Sequence, residues 1–460
     1  MRPRLARAPL AVAALVGLTA FAGATAASGS IAAPAREARA FAASDSTLDR
    51  FFGGLSDSTD RYFGSTAAPL DTAGLDSARG AGLTLAPQRP SRRFRSSFSP
   101  ALRFNRVDGA VYGVTSMLGL GRPLGRLEIR GEYDSGPRRG QGGAEWTRAW
   151  WHGESRWIVS VRGGRETAVM DRSRPVSVGD PFASASAWVR GTDTRQYYGR
   201  AGYGLVLARA APGWRAIAGV RDEIETPLRT TATWNLSGTD DRDPGNLAAV
   251  RGRAREALFS LALRVPRTPI RSAIDYRTAH RILGSDFEYR SLRVAAGADI
   301  GVGRWSSLVP QAMIGRLSGE LLPQESFDLD GAGVLVTRDG DRIAGSRIAV
   351  GRLDWIGTRD LLAGLPHPAM FPIQGNLFTD AGAVWGVDPY GGPRRAGGFF
   401  PGARGWSSEG GFALVWQPGL PAPSSMVRAS IAWPLDGRPK RPGLRLSFSR
   451  PLFLLNTVDD

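Results

Sequence analysis

The sequence predicts an all-β fold: a closed antiparallel transmembrane β-barrel of about 16 strands, with 12 or 14 as alternatives. Three observations predict it. From about residue 100 onward, short runs alternate apolar and polar side chains between Gly, Pro and Asp turns. Beyond the first 26 residues no apolar run reaches the ~18 residues that a membrane-crossing helix needs. The first residues read as an export signal.

That signal is assigned to residues 1–26. Arg2, Arg4 and Arg7 form a positive start, Leu10 to Ala22 an apolar core, and Ala24-Thr25-Ala26 a small-residue cleavage site. Residues 27–98 differ in kind. They are rich in Ala, Ser, Asp and Gly, and they carry a short repeat: Asp45 to Gly53 and Asp57 to Gly64 each start Asp-Ser-Thr and close on aromatic residues and Gly. This stretch reads as a low-complexity periplasmic or lumenal segment, with a plug as the alternative. Residues 99–460 are assigned to the barrel.

The closing stretch shows the alternation best. Val427, Ala429, Ile431, Trp433 and Leu435 alternate with Arg428 and Ser430. Leu444, Leu446 and Phe448 alternate with Arg445, Ser447 and Ser449. Successive side chains of a strand point to opposite faces, so one face suits lipid and the other water. Leu127, Ile129 and Tyr133 alternate with Glu128, Arg130 and Glu132 in the same way, as do Trp157, Val159 and Val161 with Ser160 and Arg162. About fifteen such candidates are found, and barrels of one chain favour even numbers, hence the expectation of 16. The segments 180–194 and 234–247 read as long loops. Trp150, Trp151, Trp157, Trp355, Trp385 and Trp433 fall near strand ends, as an interfacial girdle would. Parity sends Arg130, Arg162, Arg200, Arg293, Asp380, Arg428 and Arg445 to the lumen, and the lumen is expected to be mostly positive.

The formal charge is +17, and Lys440 is the only lysine. The arginines are scattered along alternating runs and form no basic helix or tail. With an export signal present, no nucleic-acid partner is expected. The chain has no Cys, so disulfides and thiolate metal sites are excluded. No G-x-S-x-G elbow and no H-E-x-x-H motif occurs, and His152, His280 and His367 lie far apart in sequence. No enzyme activity and no cofactor is expected.

Five stretches carry a family resemblance. Phe104-Asn-Arg-Val-Asp-Gly109 with Val111-Tyr-Gly113 resembles the opening barrel strand of the bacterial surface antigen family, which includes the BamA and TamA outer-membrane assembly barrels. His280 to Tyr289 resembles its mid-barrel hairpin, and Phe378-Thr-Asp-Ala-Gly-Ala-Val-Trp385 its F-x-D-x-G-x-V-W strand. Ala432-Trp-Pro-Leu435 and Leu444 to Phe453 resemble its last two strands. The resemblance implies a lumenal loop whose Arg-Gly-aromatic tip meets an acidic strand motif. Here the matching loop holds Gly331, Gly333, Val336, Thr337 and Arg338, with Val336 and Thr337 where Arg and Gly would stand. Arg338 is the candidate substitute. Leu444, Leu446, Phe448 and Phe453 are the candidate assembly-signal strand. No POTRA pattern is legible in residues 27–98. Both departures bear on assembly activity and leave the fold untouched.

The resemblance implies a cell outer-membrane protein that assists insertion or translocation of proteins or lipids. Its implied partners are outer-membrane lipids and lipopolysaccharide, the barrel-assembly machinery for its own insertion, and protein cargo. The alternatives are a passive pore for small, preferentially anionic solutes and a secreted soluble β-rich binding protein.

Overall fold

The computed structural model of the chain describes residues 95–121, 124–170, 181–191, 193–232, 234–236, 245–329, 335–338, 343–357, 360–362, 373–392, 398, 400–402, 405–416, 427–437 and 442–447. The expected signal peptide, the repeat, and Phe448 and Phe453 lie outside these residues.

The strands are β1 (Arg95–Asn105), β2 (Gly109–Gly121), β3 (Gly125–Asp134), β4 (Arg139–His152), β5 (Ser155–Val169), β6 (Tyr197–Ala211), β7 (Trp214–Pro227), β8 (Gly252–Arg264), β9 (Ile270–Ala279), β10 (Tyr289–Ala298), β11 (Ile300–Val302) and β12 (Ser306–Gly319). They continue with β13 (Phe327–Asp328), β14 (Ala344–Gly345), β15 (Arg347–Gly357), β16 (Ile373–Trp385), β17 (Ser407–Trp416), β18 (Val427–Pro434) and β19 (Gly443–Ser447). A helix α1 (Pro181–Arg190) lies between β5 and β6.

Every strand of the main sheet pairs antiparallel with its neighbour in sequence, from β1–β2 through β18–β19. β11 continues β10 past Asp299 and pairs with the same partner, β12. The meander therefore makes sixteen passes among the described residues. The short pair β13–β14 stands apart, inside the connection from β12 to β15. Among the described residues no ladder joins β1 to β19. The ends still approach each other, because α1 packs against both.

Connections differ at the two ends of the sheet. One end has the short connections 122–124, 153–154, 212–213, 265–269 and 303–305, with the longer segments 358–372 and 417–426. Gly213 sits at φ 81°, a conformation that tight hairpins require and that L side chains avoid. The other end carries 170–196, 228–251, 320–346 and 386–406, together with the shorter 106–108, 135–138, 280–288 and 435–442. The longest connections gather at one end, as is the habit of outer-membrane sheets.

Polarity across the sheet is inverted. Phe98 is 71% exposed, Leu102 74%, Tyr203 61% and Val220 54%. On the opposite face Glu256, Asp275, Asp354 and Asp380 are no more than 2% exposed. Water would charge about 1.5–3 kcal/mol for each large apolar side chain left uncovered. Contact with lipid tails would remove that cost, and alternating parity would then send the charged residues to the other face.

Aromatic residues mark the short-turn rim. Trp150 stacks on Trp157 at 6.5 Å and 8°. Arg209 sits over Trp157 and Trp214, at 5.0 and 5.2 Å from the ring centroids. Arg148 covers Trp150, and Arg304 covers Trp305. Amphipathic rings with snorkelling arginines suit a headgroup boundary. Trp385 departs from the expected girdle. It is buried, and its indole N–H donates to Gly398 O at 3.1 Å, because the 386–406 connection folds against it.

Three expectations need correction. A strand, β1, was missed and begins at Arg95, ahead of the expected boundary at 99. Phe104 to Gly109 is not an opening strand. Phe104 and Asn105 end β1, and Asn105 Oδ1 then accepts from the N–H groups of Val107 and Asp108, folding the chain into the β1–β2 turn. The loop expected over 180–194 contains α1, which Pro181 opens and Gly191 closes at φ 73°.

Candidate functional site

The buried face of β3–β10 carries a chain of ion pairs built by strand parity. Glu166 on β5 bridges Arg130 on β3, Arg200 on β6 and, at 3.2 Å, Arg162 on its own strand. Arg162 continues to Glu223 on β7 at 3.1 Å, and Arg221 joins Glu256 on β8 at 2.5 Å. Asp275 on β9 holds Arg293 on β10 at 2.6 Å. Across the sheet Arg352 and Asp380 form a two-pronged pair, at 2.7 and 2.5 Å. Asp354 receives Asn376 at 2.9 Å and Arg428 at 3.5 Å. Charges taken from water survive only when paired in this way.

The expected inward residues lie as follows. Arg200, Arg293, Asp380 and Arg428 are buried, and Arg130, Arg162 and Arg445 are partly buried. The structure joins Arg130, Arg162 and Arg200 through Glu166 and Glu223, and leaves Arg445 apart from them. The interior is not mostly positive. Buried charged residues among those described are ten Arg against thirteen carboxylates. The carboxylates that sequence reasoning passed over, Glu166, Glu223, Glu225, Glu256 and Glu409, sit at inward parity on their strands. That parity was the available signal.

The connection from β12 to β15 enters this interior. Leu322, Gln324, Phe327, Leu329 and Leu335 are buried in the largest apolar cluster, or beside it. Gln324 Nε2 donates to Glu225 at 2.7 Å and to Val250 O at 3.0 Å. A single turn of 3-10 helix, Val336–Arg338, forms the far contact. The N–H groups of Val336 and Thr337 donate to Glu409 on β17 at 2.8 and 2.7 Å, and the Thr337 hydroxyl donates to it at 2.8 Å. Arg338 pairs with Asp436, just past β18. The candidate substitute Arg338 thus meets Asp436, while Asp380 of the F-x-D-x-G stretch is taken by Arg352. Gly331 and Gly333 lie outside the described residues.

Two glycines make room for the insertion. A Cβ on Gly443 of β19 would stand 2.8 Å from Val336 O, and one on Gly382 of β16 would stand 2.7 Å from Leu329 Cδ2. Gly443→Ala is therefore expected to destabilise the protein by about 1–3 kcal/mol through overpacking. Gly351→Ala, where an added Cβ meets nothing within 4 Å, is expected to be near neutral. Thermal unfolding in detergent checks the pair.

Of the candidate assembly-signal strand, Leu444 and Leu446 point to the exposed face. The histidines form no catalytic group among the described residues. His152 is exposed at the end of β4, and His280 caps the 3-10 turn Arg281–Leu283 through Nδ1. His367 lies outside the described residues. Glu225, Glu256 and Glu325 bring carboxylate oxygens within 4.8 Å of one another. Arg221 stands 2.5 Å from Glu256 and 3.9 Å from Glu325, the Tyr289 hydroxyl donates to Glu256, and Gln324 donates to Glu225. The protein's own donors already face these oxygens.

No family model and no curated protein matches the sequence. Among solved structures the chain is similar to BamA from Haemophilus ducreyi lacking POTRA domains 1–3, at 13% identity over 77% of this chain and 70% of that one, with a TM-score of 0.48. It is also similar to CdiB from Escherichia coli, at 11% identity over 79% of this chain and 62% of that one, with a TM-score of 0.45. CdiB from Acinetobacter baumannii gives 11% identity over 84% of this chain and 70% of that one, with a TM-score of 0.39.

Proposed function

We propose that this chain is a non-enzymatic outer-membrane β-barrel, closed where β1 meets the last strand, that assists insertion or translocation of proteins or lipids. The observation that carries the membrane reading is the inverted polarity: apolar side chains exposed on one face of the whole meander, charged ones buried on the other. Only helices and closed barrels satisfy every backbone group in lipid. The long connections then face outside and the short turns face the periplasm.

The inserted 320–346 connection favours an assembly-type role over a passive pore. Its turn Val336–Arg338 is held by Glu409 and Asp436, contacts that close an interior and that a displaced loop would open. The other four sequence stretches that resemble the surface antigen family support the same reading.

Vesicles carrying the full chain are expected to speed the insertion of a urea-denatured outer-membrane barrel above the rate of empty vesicles, with low ion conductance. Glu409→Ala is expected to release the turn, at a cost of about 1.5–3 kcal/mol per charge-assisted hydrogen bond lost, and to raise conductance. Wild-type vesicles that conduct freely and leave the insertion rate unchanged would support a passive pore instead.

A further inference from the structure

We infer that the long-loop rim of β10, β12 and β15 holds a binding site for the phosphate of an anionic membrane lipid. It rests on the outer face lying in lipid, as proposed above. Arg316 on β12 stands directly opposite Arg347 on β15 in the ladder. Arg290 on β10 is diagonal to Arg316, since Leu292 is the residue opposite Arg316. Even positions of β10 and β12 and odd positions of β15 form the exposed face, so all three arginines point outward.

Like charges directly opposite on neighbouring strands destabilise a sheet. Among the described residues Arg290 and Arg316 make no ion pair and donate no side-chain hydrogen bond. Arg347 donates from Nη1 to Gly398 O, in the connection that walls one side of the site. The acids nearby are engaged: Glu288 receives His280 at 3.2 Å and Arg281 at 3.9 Å, and Glu320 accepts the Glu288 N–H at 3.1 Å. Guanidinium forks around one tetrahedral anion would convert the repulsion into charge-assisted bonds.

Depth selects the source of that anion. Immediately inward on β10 and β12 the exposed face turns apolar, with Leu292 and Ile314, and on β15 it continues past Ala349 and Gly351 to Leu353 and Trp355. The arginines therefore stand where the lipid-facing band ends, at the level of headgroup phosphates.

The test uses the full chain in neutral detergent, titrated with phosphatidylglycerol, phosphatidylcholine or inorganic phosphate, with thermal unfolding as the readout. Phosphatidylglycerol is expected to raise the Tm, because a ligand bound only by the folded state stabilises it. Arg290→Gln with Arg316→Gln is expected to weaken this lipid by about tenfold or more, while leaving the lipid-free Tm equal or higher. Arg290→Lys with Arg316→Lys should fall between. Arg304→Gln, at the opposite rim, should match wild type. Equal response to phosphatidylcholine, an equal effect of inorganic phosphate, or unchanged binding in the Gln pair would overturn the site. Insertion into phosphatidylcholine vesicles is measured in parallel. Insertion without anion preference removes the site alone, whereas failure to enter any vesicle removes the membrane reading and the site with it.

Discussion

Glu166→Gln is expected to destabilise the folded protein by about 3–5 kcal/mol, the cost of breaking a buried ion pair from one side. Glu166 is the shared partner of Arg130, Arg162 and Arg200. Glu223 remains at 3.1 Å from Arg162, but it already serves Arg221 at 3.5 Å. Three guanidinium groups then compete for too little negative charge on a largely buried wall. The replacement is nearly isosteric, so packing changes little and the loss is electrostatic. Urea unfolding in phospholipid vesicles measures it. Replacing Arg130 as well, as Arg130→Met with Glu166→Gln, should recover part of the loss, since one unpaired charge is removed. A single variant as stable as wild type would mean that the pairs do not hold one another in place.

Leu205→Arg is the second large effect, about 2–4 kcal/mol if the side chain sits near the bilayer midplane. Leu205 is 45% exposed and lies between Tyr203 and Leu207 on the exposed face of β6. The size of the effect is diagnostic because the soluble alternative predicts something else. On a water-exposed sheet face a half-exposed Leu changed to Arg stays within about ±0.5 kcal/mol. Measurement in vesicles therefore separates a lipid-facing sheet from a secreted soluble one.

Much of the sheet was legible because two unlike faces enforce a period of two along every strand. That constraint is local, so Leu127 to Tyr133 and Val427 to Leu435 announce themselves. β1 obeys it too: Phe98, Pro100 and Leu102 alternate with Ser97, Ser99, Ala101 and Arg103. Pro100 masked it, since proline in a strand usually argues against the assignment. Among the described residues β1 has a ladder only to β2, and an edge of that kind tolerates a missing N–H. The helix α1 was hidden for another reason. Its small residues Ala183, Ser184, Ala185 and Ser186 carry little periodic contrast, and only the Pro181 start and the Gly191 stop mark it.

The candidate site was less legible, because its contacts join residues distant in sequence. The N–H groups of Val336 and Thr337 reach Glu409, and Arg338 reaches Asp436, across most of two or more strands and their loops. Arg338 could be singled out by position in its loop, but not its partner. The balance of charge inside was missed for a similar reason. Counting Arg over the whole chain gives a positive protein, while pairing across neighbouring strands sets carboxylates opposite or diagonal to several inward Arg residues, as with Arg352 and Asp380.

In the proposed arrangement one face of this meander meets lipid while the other is packed and charged. The chain contains no cysteine, so single-cysteine spin labels report without background. Labels at Tyr203, Gly204, Leu205, Val206, Leu207 and Ala208 of β6 would be read for collision with oxygen, which concentrates in lipid, and with a water-soluble nickel chelate. Tyr203, Leu205 and Leu207 are exposed, whereas Val206 and Ala208 are no more than 2% exposed. High oxygen and low nickel collision are expected at 203, 205 and 207, and low collision with both at 204, 206 and 208. High nickel collision at 203, 205 and 207 in protein reconstituted into vesicles would contradict it.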